Sequence, residues 1–246
     1  MHAHMLAPLD TAMDVVRDER SEVAAERDAF AALADRIADC PVRSPQTAPD
    51  HDAGATVTGV GVSSVGPAAD ADPSERLRRA YRETVMSVDH YDAVYDESLF
   101  EHAATELGAD LATALRGGVP LSPGFKSTLH DAVTDARAER EWFLERLRTE
   151  VESLTDARAA LGDVVDTVPR DGSPPSATID ELRRRCDDVG RERQEVLRTQ
   201  FRSAPDGLYE YLYRDQPWTH PVLNVVAMLV ADLDGLRGID DAGRFG

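Results

Sequence analysis

Between Leu129 and Val168, apolar residues return at alternating steps of four and three without a slip. One series reads Leu129, Ala136, Phe143, Glu150, Ala157, Val164; the other reads Val133, Arg140, Leu147, Leu154, Leu161, Val168. Ten of these twelve positions are apolar, so the segment must be a helix lying along another helix for most of its length. Ser122-Pro123 is a helix-opening pair, and Pro169 closes the run. At about 1.5 Å per residue such a helix is roughly 65 Å long, more than one compact domain can bury alone. The rest of the chain is therefore read as what covers it.

Two other segments carry matching patterns. The first predicted helix, about Thr11 to Asp39, places Leu9, Val16, Val23, Phe30 and Ile37 at an unbroken period of seven. Its companion positions are Met13, Arg20, Arg27 and Ala34, so one seam is apolar and its neighbour half polar. After PRDGSPPS, Thr178-Ile179-Asp180-Glu181 reads as a capping box. It opens a helix to about Arg202 with seam residues Ile179, Leu182, Cys186, Val189, Arg193 and Val196. A short proline-rich turn between two seamed helices predicts an antiparallel hairpin.

The predicted fold class is all-α: a long antiparallel, coiled-coil-like hairpin joined by the N-terminal helix. A small helical module and a C-terminal helical tail sit at one end. Residues 1–40 form the N-terminal helix. Residues 41–72, rich in Gly, Pro and Ser, form a flexible linker with an extended piece around Thr56 to Val62. Residues 73–120 form a two-helix module opened by Asp72-Pro73-Ser74-Glu75, its second helix running from Leu99 through Leu115. The hairpin occupies 121–203, and an aromatic turn with a last helix near Pro221 fills 204–246.

Charge bears on the setting. Asp plus Glu number 46 against 27 Lys plus Arg, a formal charge of -19, and Lys126 is the single lysine. A GC-rich genome turns Lys codons to Arg codons but does not supply the excess of acids, so the reading is a salt-adapted surface. There is no basic segment followed by an apolar core at the N-terminus, and Val222 to Leu233 is too short to span a bilayer. The expected setting is cytoplasmic, without membrane contact. Cys40 and Cys186 are far apart and form no CxxC pair, which argues against a disulfide scaffold or a cysteine zinc site.

Reactive motifs are weak. Asp89, His90, Asp92, Asp96, Glu97, Glu101, His102 and Glu106 cluster, but no histidine has a Glu three residues before it and there is no HExxH. A solvated acidic face explains the cluster. Gly59-Val60-Gly61 fits no phosphate loop. No catalytic, cofactor or metal residue is assigned, and no cofactor is expected. Five seam charges remain: Arg20, Arg27, Arg140, Glu150 and Arg193. Such residues set register or snorkel outward, and a hairpin turning near Ser173 brings Glu150 and Arg193 within about one helical turn. Arg183, Arg184 and Arg185 begin an arginine-rich stretch over 181–202 that could track phosphates, yet its arginines alternate with acids at ion-pair spacing.

YRETVMSVDHYDAVYDESLFEHAATELGADLATAL, RRRCDDVGRERQEVL and YLYRDQPWTHPVLNVVAMLVADLDGLR resemble a haloarchaeal family of acidic helical proteins of unknown function. The resemblance covers nearly the whole chain outside 41–72 and implies the same salty setting, with no site residues to carry over. The residues themselves favour a non-enzymatic interaction or scaffold protein. Its partner, or a second copy, would meet the seam Leu9, Val16, Val23, Phe30, Ile37. The alternatives are a nucleic-acid-associated regulator using 181–202 and an enzyme with a site near 89–106.

Overall fold

The computed structural model describes residues 2–42, 72–118, 120–169, 174–203 and 207–244. The expected linker lies almost wholly outside the described residues, including its extended piece and Gly59-Val60-Gly61. The described residues are all-α, with no strand among them. A 3-10 turn, His2–Leu6, leads into α1 (Ala7–Ala38), and α2 (Pro73–Glu83), α3 (Tyr91–Val94), α4 (Leu99–Leu107) and α5 (Ala109–Gly117) follow. Then come α6 (Pro123–Thr167), α7 (Ser176–Ser203), α8 (Leu208–Leu212) and α9 (Pro221–Arg244). No described helix is long and apolar enough to cross a membrane.

The chain divides into two compact units. One holds Met1–Val23 and Trp142–Gly246, the other Ala24–Glu141. Both α1 and α6 contribute to each unit, and each unit has its own core.

In the first unit, α6 and α7 form the antiparallel hairpin. Arg146 meets Gln200, Glu150 meets Arg193 and Asp163 meets Arg185, so rising numbers on one helix meet falling numbers on the other. On α1, Asp10 pairs with Arg158 of α6, and α9 lies antiparallel to α7 through Arg183–Asp234 and Asp180–Arg237. Leu147, Leu154, Leu161, Val164 and Ile179 are wholly buried between these helices, with Leu9, Val16, Val222 and Val225. The seam positions of α6 are thus spent on this chain's own helices.

In the second unit, Phe30, Leu33 and Ile37 of α1 pack with Leu77, Tyr81, Leu99, Ala103, Leu115, Leu129 and Val133. Lys126 donates to the carbonyls of Ala38 and Cys40, tying off the end of α1. The predicted single helix over 99–115 is two helices. Gly108, at φ 94, ends α4 and begins α5. A left-handed backbone at that point cannot continue a helix, and only glycine adopts it without strain. The leucine period ran across the break, which is why the sequence reads as continuous.

Helix ends follow local chemistry with small offsets. The first helix begins at Ala7 rather than near Thr11, because Pro8 is tolerated in a first turn. The helix of the capping-box reading begins at Ser176, two residues before Thr178. Ser122 caps α6 by accepting from the Phe125 N–H at 3.1 Å, with Pro123 as first helical residue. Ser122→Ala is expected to cost about 1 kcal/mol in chemical denaturation. A loss below the error of that measurement means the cap is replaced by water.

Candidate functional site

The acids and histidines of 89–106 do not form a solvated face throughout. In the second unit several turn inward and meet charges from two distant helices. Glu26 lies at an α1 position one turn from Phe30, and Arg140 occupies a seam position of α6; each side chain is 13% exposed. Arg140 Nε donates to Glu26 Oε2 at 3.1 Å, while Arg140 Nη2 donates to Glu106 Oε1 at 2.7 Å and Nη1 lies 2.6 Å from Glu106 Oε2. The guanidinium therefore bridges two carboxylates, and it also sits 4.9 Å over the Phe30 ring. Tyr95 donates its hydroxyl to Glu26 Oε1 at 2.8 Å, and His90 Nε2 lies 3.0 Å from the same oxygen.

Burial pushes the Glu26 carboxyl up, but hydrogen bonds from His90 and Tyr95, with the Arg140 charge, outweigh it and hold the group below the usual carboxylate range. For Arg140, burial works against the charge, and Glu106 and Glu26 together outweigh it.

Behind this bridge lies His102, 2% exposed. Its Nδ1 is 2.7 Å from the Tyr81 hydroxyl, and the rings of Tyr81, Tyr91 and Tyr95 stand edge-on to it at 5.9, 5.1 and 4.8 Å. Nε2 has no hydrogen-bond partner. Burial lowers the pKa of this imidazole, Glu106 and Glu97 oppose the shift, and Arg140 adds to it. Burial likewise raises the phenols of Tyr81, Tyr91 and Tyr95. The phenols are driven further from ionisation, and the Glu26 and Glu106 carboxylates already hold the Arg140 cation. Among the described residues no group of three or more His, Cys, Asp or Glu could hold a metal ion.

The first unit holds a second buried charge. Arg193 donates through Nη1 to Glu150 Oε2 at 2.8 Å and through Nη2 to Glu150 Oε1 at 2.7 Å. Ser153 accepts a further bond from Nη1, and Tyr213 donates to Glu150 Oε1 at 2.8 Å. The side chains are 1% and 0% exposed. Burial works against the Arg193 charge, and the Glu150 carboxylate outweighs it.

The other seam charges behave differently. Arg20 is exposed, and Arg27 pairs with its neighbour Asp28 while 35% exposed. Leu9, Val16, Val23, Phe30 and Ile37 are all buried among the chain's own side chains, so a partner reaches them only if α1 comes away. On α7, Arg183 faces Asp234, Arg184 faces Glu181, and Arg185 lies 3.9 Å from Asp163. Arg191 and Arg198 pair with Asp188 and Glu195. Each of these guanidinium groups has an acid beside it, which weakens an arginine stripe for phosphates. Sequence reasoning passed over α2, whose Arg76, Arg78, Arg79 and Arg82 outnumber Glu75 and Glu83. There Arg36 pairs with Glu83 beside an open groove of about 260 Å³ that also holds Asp39. Both signs line it.

No curated protein and no solved structure matches the chain. One family model does, across residues 7–237, and its span takes in both buried charge clusters. The chain therefore belongs to the family described as a domain of unknown function, DUF7260.

Proposed function

We propose that this is a non-enzymatic helical interaction protein, and that its partner-binding surface includes Trp142 on the outer side of α6. Trp142 carries the reading. It is 49% exposed, with the Arg146 guanidinium 4.8 Å from its ring centre. A chain with only 6% aromatics gains nothing for its own core by leaving one of two tryptophans half in water. Tryptophan and arginine are the residues that concentrate binding energy where a surface is desolvated by a partner. The buried charges Glu26, Glu106, Arg140, Glu150 and Arg193 meanwhile join helices to one another. The charge of -19 suits a salt-rich cytoplasm, where a hydrated carboxylate surface preserves solubility and a stacked aromatic–arginine contact is little screened.

The test is a pull-down from the native high-salt lysate, with and without nuclease, comparing wild type with Trp142→Ala. A stoichiometric protein held by wild type and depleted at least about tenfold by the variant is expected, as for a hot-spot residue. Equal recovery by both proteins contradicts the surface assignment. Recovery that depends on nucleic acid would favour the arginine helix instead.

A further inference from the structure

His102 is the one histidine among the described buried residues, and it sits where several helices are fastened. Tyr81 reaches it from α2, Tyr91 from α3 and Tyr95 from just beyond α3, with Glu97 and Glu106 close on its own side. Glu26 of α1 and Arg140 of α6 complete the charged surroundings. The helix carrying His102 and Glu106, α4, is bracketed by two left-handed residues. Asp96 has φ 45 and Gly108 has φ 94, and Asp96 is the one non-glycine residue of positive φ among the described residues. Residues that absorb unusual backbone angles at both ends of a short helix are where a segment can swing or unfold without disturbing its neighbours.

We propose that the second unit contains an acid-operated latch, in which a proton taken up by His102 releases α4 from the Tyr81 and Arg140 contacts.

The physics is a matter of donors and acceptors. The Tyr81 hydroxyl serves Nδ1, and Nε2 has no partner even with the imidazole neutral. Protonation turns Tyr81 into an acceptor for Nδ1–H and places a full charge beside the unpaired Nε2–H, a far costlier state to bury. The cation also shares its site with Arg140, which repels it and already holds the carboxylates of Glu26 and Glu106; Glu97 attracts the cation but gives Nε2 no hydrogen bond where it stands. Swinging α4 out lets the imidazolium reach water and carries Glu106 away from Arg140. The freed segment exposes Leu99, Ala103 and Leu107, an apolar face hidden in the closed form.

The sign follows from the lowered imidazole pKa. The open state takes up the proton first, so closure is fully favoured above the ordinary histidine range, about pH 6.5, and weakens as pH falls below it. Glu26 acts in the same direction but lower, since its depressed carboxyl releases stability only as pH falls through and below the ordinary carboxylate range. At about pH 5.5 the histidine is the group being sampled.

The experiment is hydrogen exchange of the intact chain at about pH 7.5 and about pH 5.5, corrected for the intrinsic pH dependence of exchange, alongside NMR titration of the His102 ring. Protection across 99–107 is expected to fall by up to about tenfold at the lower pH, the limit for one proton, while peptides of α7 and α9 keep theirs. The imidazole should titrate below the ordinary histidine value. In His102→Phe, which keeps a ring among the tyrosines but cannot take a proton, the difference between the two pH values should vanish. Unchanged protection in wild type, an imidazole midpoint at or above the ordinary value, or a pH response retained by His102→Phe would each overturn the latch. If that variant does not fold, the wild-type exchange and titration decide alone.

Discussion

Arg193→Met is expected to destabilise the protein by about 3–5 kcal/mol at neutral pH, a fall in melting temperature on the order of 10 °C. The methionine replaces much of the arginine stem, so packing changes little. What is lost is the cation facing Glu150, whose carboxylate stays in a site with no exposure and keeps Tyr213 and little else. An isolated carboxylate in such surroundings is far costlier than the pair. One accompaniment separates this cause from a packing defect. Replacing both partners, Glu150→Leu with Arg193→Met, should restore most of the stability, since two well-packed apolar side chains need no compensation. A double variant as unstable as the single one would mean that the loss comes from shape rather than charge.

Removing Arg140 should be nearly as damaging, for a different reason. Arg140→Met leaves Glu26 and Glu106, which now share one guanidinium, without their common cation. At neutral pH about 3 kcal/mol is expected, discounted from the fully buried case because each side chain keeps some contact with water. The Glu26 carboxyl, held low in the wild type, should rise once Arg140 is gone, so the variant loses less on acidification than the wild type does. Denaturant unfolding at two pH values, with hydrogen exchange to assign the loss to residues 24–141, checks both statements. Arg20→Ala is the control. Arg20 occupies the same kind of seam position but lies exposed, and its removal should change stability by no more than about 0.5 kcal/mol. A loss as large as that of Arg140→Met would mean that seam position, and not the carboxylate partners, sets the cost.

These contrasts show what was legible in the sequence. The period of α1 and α6 marked the residues that are buried, because a side chain's place on a helix face is fixed by local geometry alone. The meeting of Glu150 with Arg193 was within reach for the same reason, since a short connection between two helices fixes which positions face each other. Arg140 could be flagged as a seam charge but not partnered. Glu26 and Glu106 lie 114 and 34 residues from it, off any seam, and arrive through the fold of the second unit. His102 was hidden by its neighbours. Asp96, Glu97, Glu101 and Glu106 made the segment look solvated, although Leu99, Ala103 and Leu107 beside it carried a buried helical face. The three tyrosines at 81, 91 and 95 were the available signal, because phenols so closely spaced in an aromatic-poor chain have to pack on something. Gly108 was the clearest miss: a lone glycine inside a leucine period reads as a tolerated defect until its backbone angle is known.

Interior charges act as fasteners between helices in both units. A double-mutant cycle on Glu150 and Arg193, measured by denaturant unfolding of the intact chain, tests this most directly. The structure predicts a coupling of at least about 2 kcal/mol, with the double replacement far less costly than the sum of the single ones. A coupling indistinguishable from zero would mean that the two side chains do not hold each other, and would contradict the register of the α6–α7 hairpin on which the rest is built.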